Sequence, residues 1–375
     1  MRDVLDDLDR WYGEGAPVAM ATVVATWRSA PRPAGATMLV GPDGTAVGSV
    51  SGGCVEGAVY ELAQQVVASG DPVLQRYGVS DDDAFAVGLT CGGILDIYVE
   101  RVDDQLFPQF KDVVSAIRTG QPVAVVTCVQ TNGEDPEHRV GHRLVVYPDR
   151  ADGTLGSQRI NDAVIDDVRG MLAAGRTGVL RYGYQGERRG DDLTLFVASY
   201  QTQPRMIVFG AIDFAAAVAR IGVFLGYKVT VCDARPVFAT KRRFPDAHEV
   251  VVAWPHRYLR AEAEAGRVDE RTVVCVLTHD PKFDAPVLEV ALRLPLAYVG
   301  AMGSRRTHDD RLTRLRELGI TDEELSRLAS PVGLDLGART PEETAISVAA
   351  EIIAAQWGGS GERLTELAGR IHHEP

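Results

Sequence analysis

Apolar residues along the chain follow two alternating patterns. Strand-length runs stand at residues 18–26 (VAMATVVAT), 37–42 (TMLVGP) and 92–100 (GGILDIYVE), and between the second and third, residues 58–69 (AVYELAQQVVAS) space their apolar positions as a helix does. The same order then starts again, with strands at 123–131 (VAVVTCVQT), 143–148 (RLVVYP) and 193–200 (LTLFVASY). After residues 201–204 the texture changes to strand, turn, Ala-rich helix and strand (RMIVFGAIDFAAAVARIGVFLGYKVTVCDARP), followed by two further apolar runs, VVCVLTHD and LAYVGAM. The closing helix opens with the capping pattern Thr340-Pro-Glu-Glu343 and continues with apolar spacing through AISVAAEIIAAQW.

These patterns predict an α/β protein: a duplicated α/β N-terminal half followed by a Rossmann-like parallel-sheet domain, divided as 1–100, 101–200 and 201–375. The duplication rests on ordered matches. Gly15-Ala-Pro-Val-Ala19 recurs as Gly120-Gln-Pro-Val-Ala124 and Arg76-Tyr-Gly78 as Arg181-Tyr-Gly183, at one constant spacing. Between them Asp43-Gly-Thr-Ala-Val-Gly-Ser49 is aligned with Asp152-Gly-Thr-Leu-Gly-Ser157, which places Asp43 and Asp152 in equivalent turns.

Composition narrows the partners. A formal charge of -13 and a pI near 5.1 argue against a nucleic-acid or anionic-membrane surface. The acidic start (MRDVLDDLDRWYGEG) lacks the order of a secretory signal and no apolar run reaches membrane-spanning length, so a cytoplasmic location is expected. Five scattered cysteines, none in a Cys-x-x-Cys pair, suggest reduced thiols and neither a disulfide framework nor a structural zinc site.

The candidate chemistry sits where the two front copies differ. Gly48-Ser-Val-Ser-Gly-Gly-Cys-Val-Glu-Gly57 precedes a helix, where glycines let the backbone turn sharply and the helix N-terminus favours a thiolate. The alignment sets Ser51-Gly-Gly-Cys54 against Arg159-Ile-Asn-Asp162 and Cys91-Gly-Gly93 against Gly190-Asp-Asp192, so the scaffold recurs without the thiols. A site at Cys54 and Cys91 follows if the glycines do not serve the fold alone; the alternative is a Gly-rich turn around a small buried cysteine.

In the back half, Gly210 at the turn and Asp233 at the second strand's end occupy Rossmann fingerprint positions for pyrophosphate and ribose. Ile212 replaces a glycine of that fingerprint and Asp213 adds negative charge, so NAD(P) is not expected to bind. Thr278-His-Asp280 is open to either a structural or a ligand-binding role. Ser304 reads as an N-cap followed by Arg305 and Arg306, which oppose the helix dipole; a bound anion would explain them, as would solvation or a salt bridge.

Taken together, GSVSGGCVEG, LTCGGILDIYVE, VVCVLTHDPKFD, YVGAMGSRRTHDDRLTRLRELGI and VGLDLGARTPEETAISVAAEII resemble the XdhC/CoxI family of molybdoenzyme maturation proteins over most of the chain. The resemblance implies an accessory chaperone that binds the molybdenum cofactor, supports its sulfuration with a cysteine desulfurase, and delivers it to apo xanthine dehydrogenase or a related molybdenum hydroxylase. It further implies Gly52, Gly53, Cys54, Cys91, Gly92 and Gly93 as cofactor-binding residues, with Cys54 and Cys91 toward the metal, Arg305 and Arg306 on a phosphate, and a homodimer. Family members commonly show Gly-Ala-Gly-His where this chain has Gly210-Ala-Ile-Asp213. An NAD(P)-dependent oxidoreductase and a docking protein without cofactor are the competing functions.

Overall fold

A computed structural model of the chain describes residues 1–27, 30–78, 93–133, 138–278 and 280–368. They form two compact units, Met1–Thr202 and Gln203–Pro375.

The first unit holds two five-stranded antiparallel sheets. One is built from β1 (Val18–Trp27), β2 (Thr37–Val40), β3 (Ala46–Gly48), β4 (Val73–Tyr77) and β5 (Ile94–Val102), with helices α1 (Leu5–Gly13) and α2 (Glu56–Ser69). The other follows α3 (Phe110–Thr119) and comprises β6 (Val123–Thr131), β7 (Arg143–Val146), β8 (Ala151–Thr154), β9 (Gly178–Tyr182) and β10 (Leu193–Tyr200), with α4 (Gln158–Ala173) between β8 and β9. Strand order is β3-β2-β1-β5-β4 in the first and β8-β7-β6-β10-β9 in the second. Both sheets also bulge at one place: Val24 is skipped in the β1–β5 register and Val129 in the β6–β10 register. These two residues then meet in one small buried cluster with Tyr98 and Phe196.

Alternation along the strands sets the layers. Ala19, Ala21 and Val23 face Val59, Ala63 and Val66 of α2, whereas Val18 and Met20 join Val123, Val125, Val145 and residues of α1 and α3 in a core between the sheets. In the second sheet Ala124 and Val126 face Ile160, Val164 and Val168 of α4. Burial on both faces explains why β1 and β6 read as continuous apolar runs.

One sequence alignment is corrected by the register. Val40 pairs with Ala46 and Val145 with Asp152, so Asp152 lies within β8 whereas Asp43 lies in the turn before β3. Gly48 and Gly153 are the positions that agree. Both have positive φ (83° and 95°), and a Cβ on either would strike a backbone carbonyl of the paired strand, that of Thr37 or Arg143.

The second unit is a six-stranded parallel sheet with order β13-β12-β11-β14-β15-β16. Its elements are β11 (Arg205–Phe209), α5 (Asp213–Phe224), β12 (Lys228–Asp233), β13 (Glu249–Val252), α6 (Pro255–Glu264), β14 (Val273–Val276), α7 (Pro281–Leu292), β15 (Tyr298–Ala301), α8 (Arg305–Glu317), α9 (Asp322–Ser326), β16 (Leu328–Ala329) and α10 (Pro341–Trp357). This is the doubly wound Rossmann order, with its switch point between β11 and β14. One face packs on α5 and α10, the other on α6, α7 and α8. Helix α10 starts with the capping box read in the sequence, Thr340 accepting from the Glu343 N–H and the Glu343 carboxylate accepting from the Thr340 N–H.

Candidate functional site: the glycine–cysteine loop

The β3–α2 loop is organised by one carboxylate. Glu56, the first residue of α2, accepts from the Ser49 hydroxyl (2.6 Å), the Ser51 N–H (2.9 Å), the Gly53 N–H (2.8 Å) and the Ser51 hydroxyl. Ser49 Oγ in turn accepts from the Gly52 N–H, and Ser51 Oγ from the N–H groups of Cys54 and Val55. Gly52 and Gly53 adopt φ of 74° and 115°, and a Cβ added to either would meet no atom within 4 Å. Conformation, and not close approach of another chain segment, therefore requires glycine at both positions. Their N–H groups donate to Ser49 Oγ and to the Glu56 carboxylate.

The second half shows what this loop replaces. Asn161 Oδ1 accepts from the Leu155 N–H, and its amide donates to Thr154, just as Glu56 accepts from the Val50 N–H and the Ser49 hydroxyl. This sets Ser51–Cys54 against Gly156–Arg159, and corrects the alignment with Arg159–Asp162. Helix α4 already begins at Gln158, whereas α2 begins only at Glu56. The residues that form the first helical turn of α4 are thus unwound in the first half into a loop that carries Cys54.

Cys54 is half-buried against the cluster under α2, which also holds Leu95, two residues past the buried Gly93. Cys91 and Gly92 lie outside the described residues, as does His279. Cys128, Cys232 and Cys275 are buried, and burial pushes each thiol up to about 12. Among the described cysteines, only Cys54 reaches solvent.

Burial alone would raise the Glu56 carboxyl, but the hydrogen bonds from Ser49 and Ser51 outweigh it and bring it down to about 2. Its folded pKa lies below the unfolded value, so its contribution is full above pH about 4.5 and is lost as pH falls toward about 2. Glu56→Ala is expected to cost about 1–3 kcal/mol at neutral pH, because it strands donors that the loop has turned inward. Urea unfolding of parent and variant at pH 7 and pH 3 checks this: the difference should shrink at the lower pH.

In the second unit the structure brings Gly210 and Asp233 together at the carboxyl edge of the sheet. Gly210 has φ 112°, and a Cβ there would lie 3.0 Å from the backbone of Leu277 and Thr278. The Asp233 carboxylate accepts from the Ala211 N–H (2.8 Å), the Arg235 N–H (2.8 Å) and the Arg235 guanidinium (2.8 and 2.9 Å). Burial works to raise this carboxyl, and those hydrogen bonds hold it below the usual range. Asp213 opens α5 with an exposed side chain and pairs with Arg243 at 3.1 Å. Thr278 donates to the buried Asp284, which also pairs with the buried Arg311 (3.2 Å).

Ser304 caps α8 as expected, accepting from the Thr307 N–H at 3.1 Å. Arg305 and Arg306 are exposed in the first helical turn, and among the described residues neither makes an ion pair. The organising roles of Glu56, Arg235 and Arg311 emerge only from the fold. Glu56 stands within the Gly-Cys stretch three residues after Gly53, the spacing of half a capping box, but its bonds from Ser49 and Ser51 over seven and five residues follow no capping spacing. Among the described residues, no group of three or more His, Cys, Asp or Glu side chains gathers for a metal ion, and no helix is long and apolar enough to cross a membrane.

A doubly wound unit joined to paired antiparallel sheets, one of them with a cysteine loop at a helix start, defines the class of protein. Residues 206–352 match the XdhC Rossmann domain, and residues 11–78 and 116–183 each match the XdhC and CoxI family. The chain belongs to the XdhC and CoxI family. It is 28% identical over 351 residues to a probable xanthine dehydrogenase subunit of Bacillus subtilis (strain 168), covering 92% of this chain and 95% of that protein. It is also 28% identical over 344 residues to the molybdenum cofactor insertion chaperone PaoD of Escherichia coli (strain K12), covering 92% and 84%. A crystal structure described as a xanthine dehydrogenase from Bacillus halodurans superposes with a TM-score of 0.71 at 27% identity, over 97% of each chain.

Proposed function

We propose that the protein is a molybdenum cofactor chaperone that presents its cargo through Cys54 to an apo molybdenum hydroxylase of the xanthine dehydrogenase class. The observation that carries this reading is the unwound turn before α2, which costs regular structure and sets a half-buried cysteine where the second half has Arg159. The insertion-chaperone relative PaoD, similar along most of both chains, supports the same reading. A soft sulfur donor suits a thiophilic metal centre, while the metal keeps the ligands of its own pterin dithiolene. Within the second unit Arg305 and Arg306, exposed and without an ion pair among the described residues, are the candidates for holding a phosphate. We further assign the two halves of the first unit to one duplicated module, with a homodimer as the working assembly, a cytoplasmic location, and a cysteine desulfurase as the sulfur source for cofactor sulfuration.

Replacing both Arg305 and Arg306 with Ala should weaken cofactor binding by about 1–3 kcal/mol per lost charge-assisted contact and flatten its dependence on salt. Titrating purified cofactor against parent and double variant at two ionic strengths reads both effects. Transfer itself is tested by mixing loaded protein with apo-hydroxylase and following the activity that appears; no gain over free cofactor would end the chaperone reading.

A nicotinamide-dependent oxidoreductase is disfavoured by the turn after β11. Ile212 is extended and packs partly into the core, Asp213 places a carboxylate in the first turn of α5, and Asp233 is already engaged by Arg235. Calorimetry is expected to detect no micromolar affinity for NAD, and a micromolar dissociation constant would overturn this.

A further inference from the structure

A cleft of about 460 Å³ opens between the two sheets of the first unit. It lies away from the cysteine loop. Gly70 and Pro72, at the C-terminal end of α2, line it, whereas Cys54 precedes the N-terminal end, and a helix of 14 residues spans about 20 Å. Its volume falls within the range of small-molecule sites.

The lining is rich in cations and donors. Arg101, Arg139 and Arg143 line it with a single carboxylate, Glu100, and with His142, whose imidazole burial holds toward its neutral form. Glu100 is neutralised in place: Arg143 of β7 pairs with it from the opposite sheet, both side chains being over nine-tenths buried, and Arg143 also donates to the Leu106 carbonyl at 3.0 Å and lies over the Phe107 ring. Arg101 is held by Asp103 at 2.7 Å. Arg139 stands exposed at the cleft, with no ion pair among the described residues. The buried Tyr98 hydroxyl also lines the cleft; it lies near the Glu100 carboxylate but makes no hydrogen bond of good geometry. Such a group is uncommon unless something meets it. A void of about 30 Å³, also lined by Tyr98, Glu100 and Arg143, has room for about one water, so the hydroxyl alone does not decide the matter. With Arg143 set against Glu100 and Arg101 against Asp103, Arg139 is the one arginine of the lining with no ion pair among the described residues, and it stands with the Tyr98 hydroxyl in a cleft of ligand size.

We propose that this inter-sheet cleft is a binding site for a small organic anion, carrying phosphate or carboxylate groups, that Arg139 and Tyr98 recognise above the Glu100–Arg143 pair. The site is independent of the cargo loop and would couple its occupant to the packing of the two sheets, since its walls come from both.

Calorimetry on the full chain, with pyrophosphate and with citrate as separate probes, tests this. One of the two anions is expected to bind at one site in the first unit, with the stronger probe telling phosphate from carboxylate chemistry. Arg139→Ala, on an exposed side chain, should keep the melting temperature and weaken that binding about tenfold, the loss of one charge-assisted contact. Tyr98→Phe should weaken it as well without unfolding the protein, while the Arg305→Ala/Arg306→Ala double variant should keep the Arg139-dependent binding. Absence of binding by both probes would overturn the proposal, and so would equal binding by parent, Arg139→Ala and Tyr98→Phe. Neither result would bear on cargo handling by Cys54.

Discussion

Cys54→Ser protein is expected to fold, to melt within about 2 °C of the parent, and to activate an apo-hydroxylase at least about tenfold less well. The first part follows from its surroundings. The side chain is half-buried at the edge of the cluster under α2, and the loop's shape is set by hydrogen bonds to Glu56, Ser49 and Ser51 in which Cys54 takes part through its backbone N–H. A near-isosteric change at such a place alters stability by about 0.5 kcal/mol or less, which shifts melting by about 2 °C in a domain of this size. The second part follows from chemistry: a hydroxyl is a harder and far less acidic donor than a thiol, and Cys128, Cys232 and Cys275 are buried with thiols held up to about 12, so they cannot stand in. If the loop were only a turn, the pattern would reverse, with some loss of stability and full activation by the folded fraction. Melting curves and activation assays on the same preparation separate the two.

The parts of this design that were legible in the sequence are those set by local pattern. Strand runs, the Rossmann order of elements, the Ser304 cap and the Thr340–Glu343 capping box depend on residues a few positions apart. Glu56 is the instructive exception. Its role is also local, yet only the Gly53 bond has capping-box spacing; the bonds from Ser49 and Ser51, seven and five residues away, follow no short rule, so the letters do not show that the loop's N–H groups turn inward. The shifted alignment has a similar cause. Asp-Gly-Thr occurs in both halves, but side-chain hydrogen bonds from Glu56 and Asn161, not the identical letters, mark equivalent positions. Long-range pairs were hidden altogether: nothing near Glu100 in sequence announces that Arg143 will cross from the other sheet to meet it.

That pair carries the largest expected effect on stability. Arg143→Met should destabilise the first unit by about 3–5 kcal/mol, because it leaves the Glu100 carboxylate buried without its cation and removes the bonds to the Leu106 carbonyl and the Thr127 hydroxyl. Burial already pushes the Glu100 carboxyl up, with the Arg143 guanidinium opposing it. Removing that guanidinium should drive Glu100 toward its neutral form. Adding Glu100→Gln to Arg143→Met should therefore recover much of the loss, since no net charge then remains in the interior. Chemical denaturation of the parent, both single variants and the double variant gives the coupling directly. Additive losses in the double variant would show that the pair is not coupled as its geometry indicates.

The central claim, that this chain carries the molybdenum cofactor on a cysteine loop, is tested most directly by elemental and pterin analysis of the parent and of Cys54→Ser, each purified from a host that makes the cofactor. Molybdenum and pterin should co-purify with the parent in constant proportion and fall together in the variant. Parent protein without either component, or a Cys54→Ser variant that retains both at the parental level, would contradict the account.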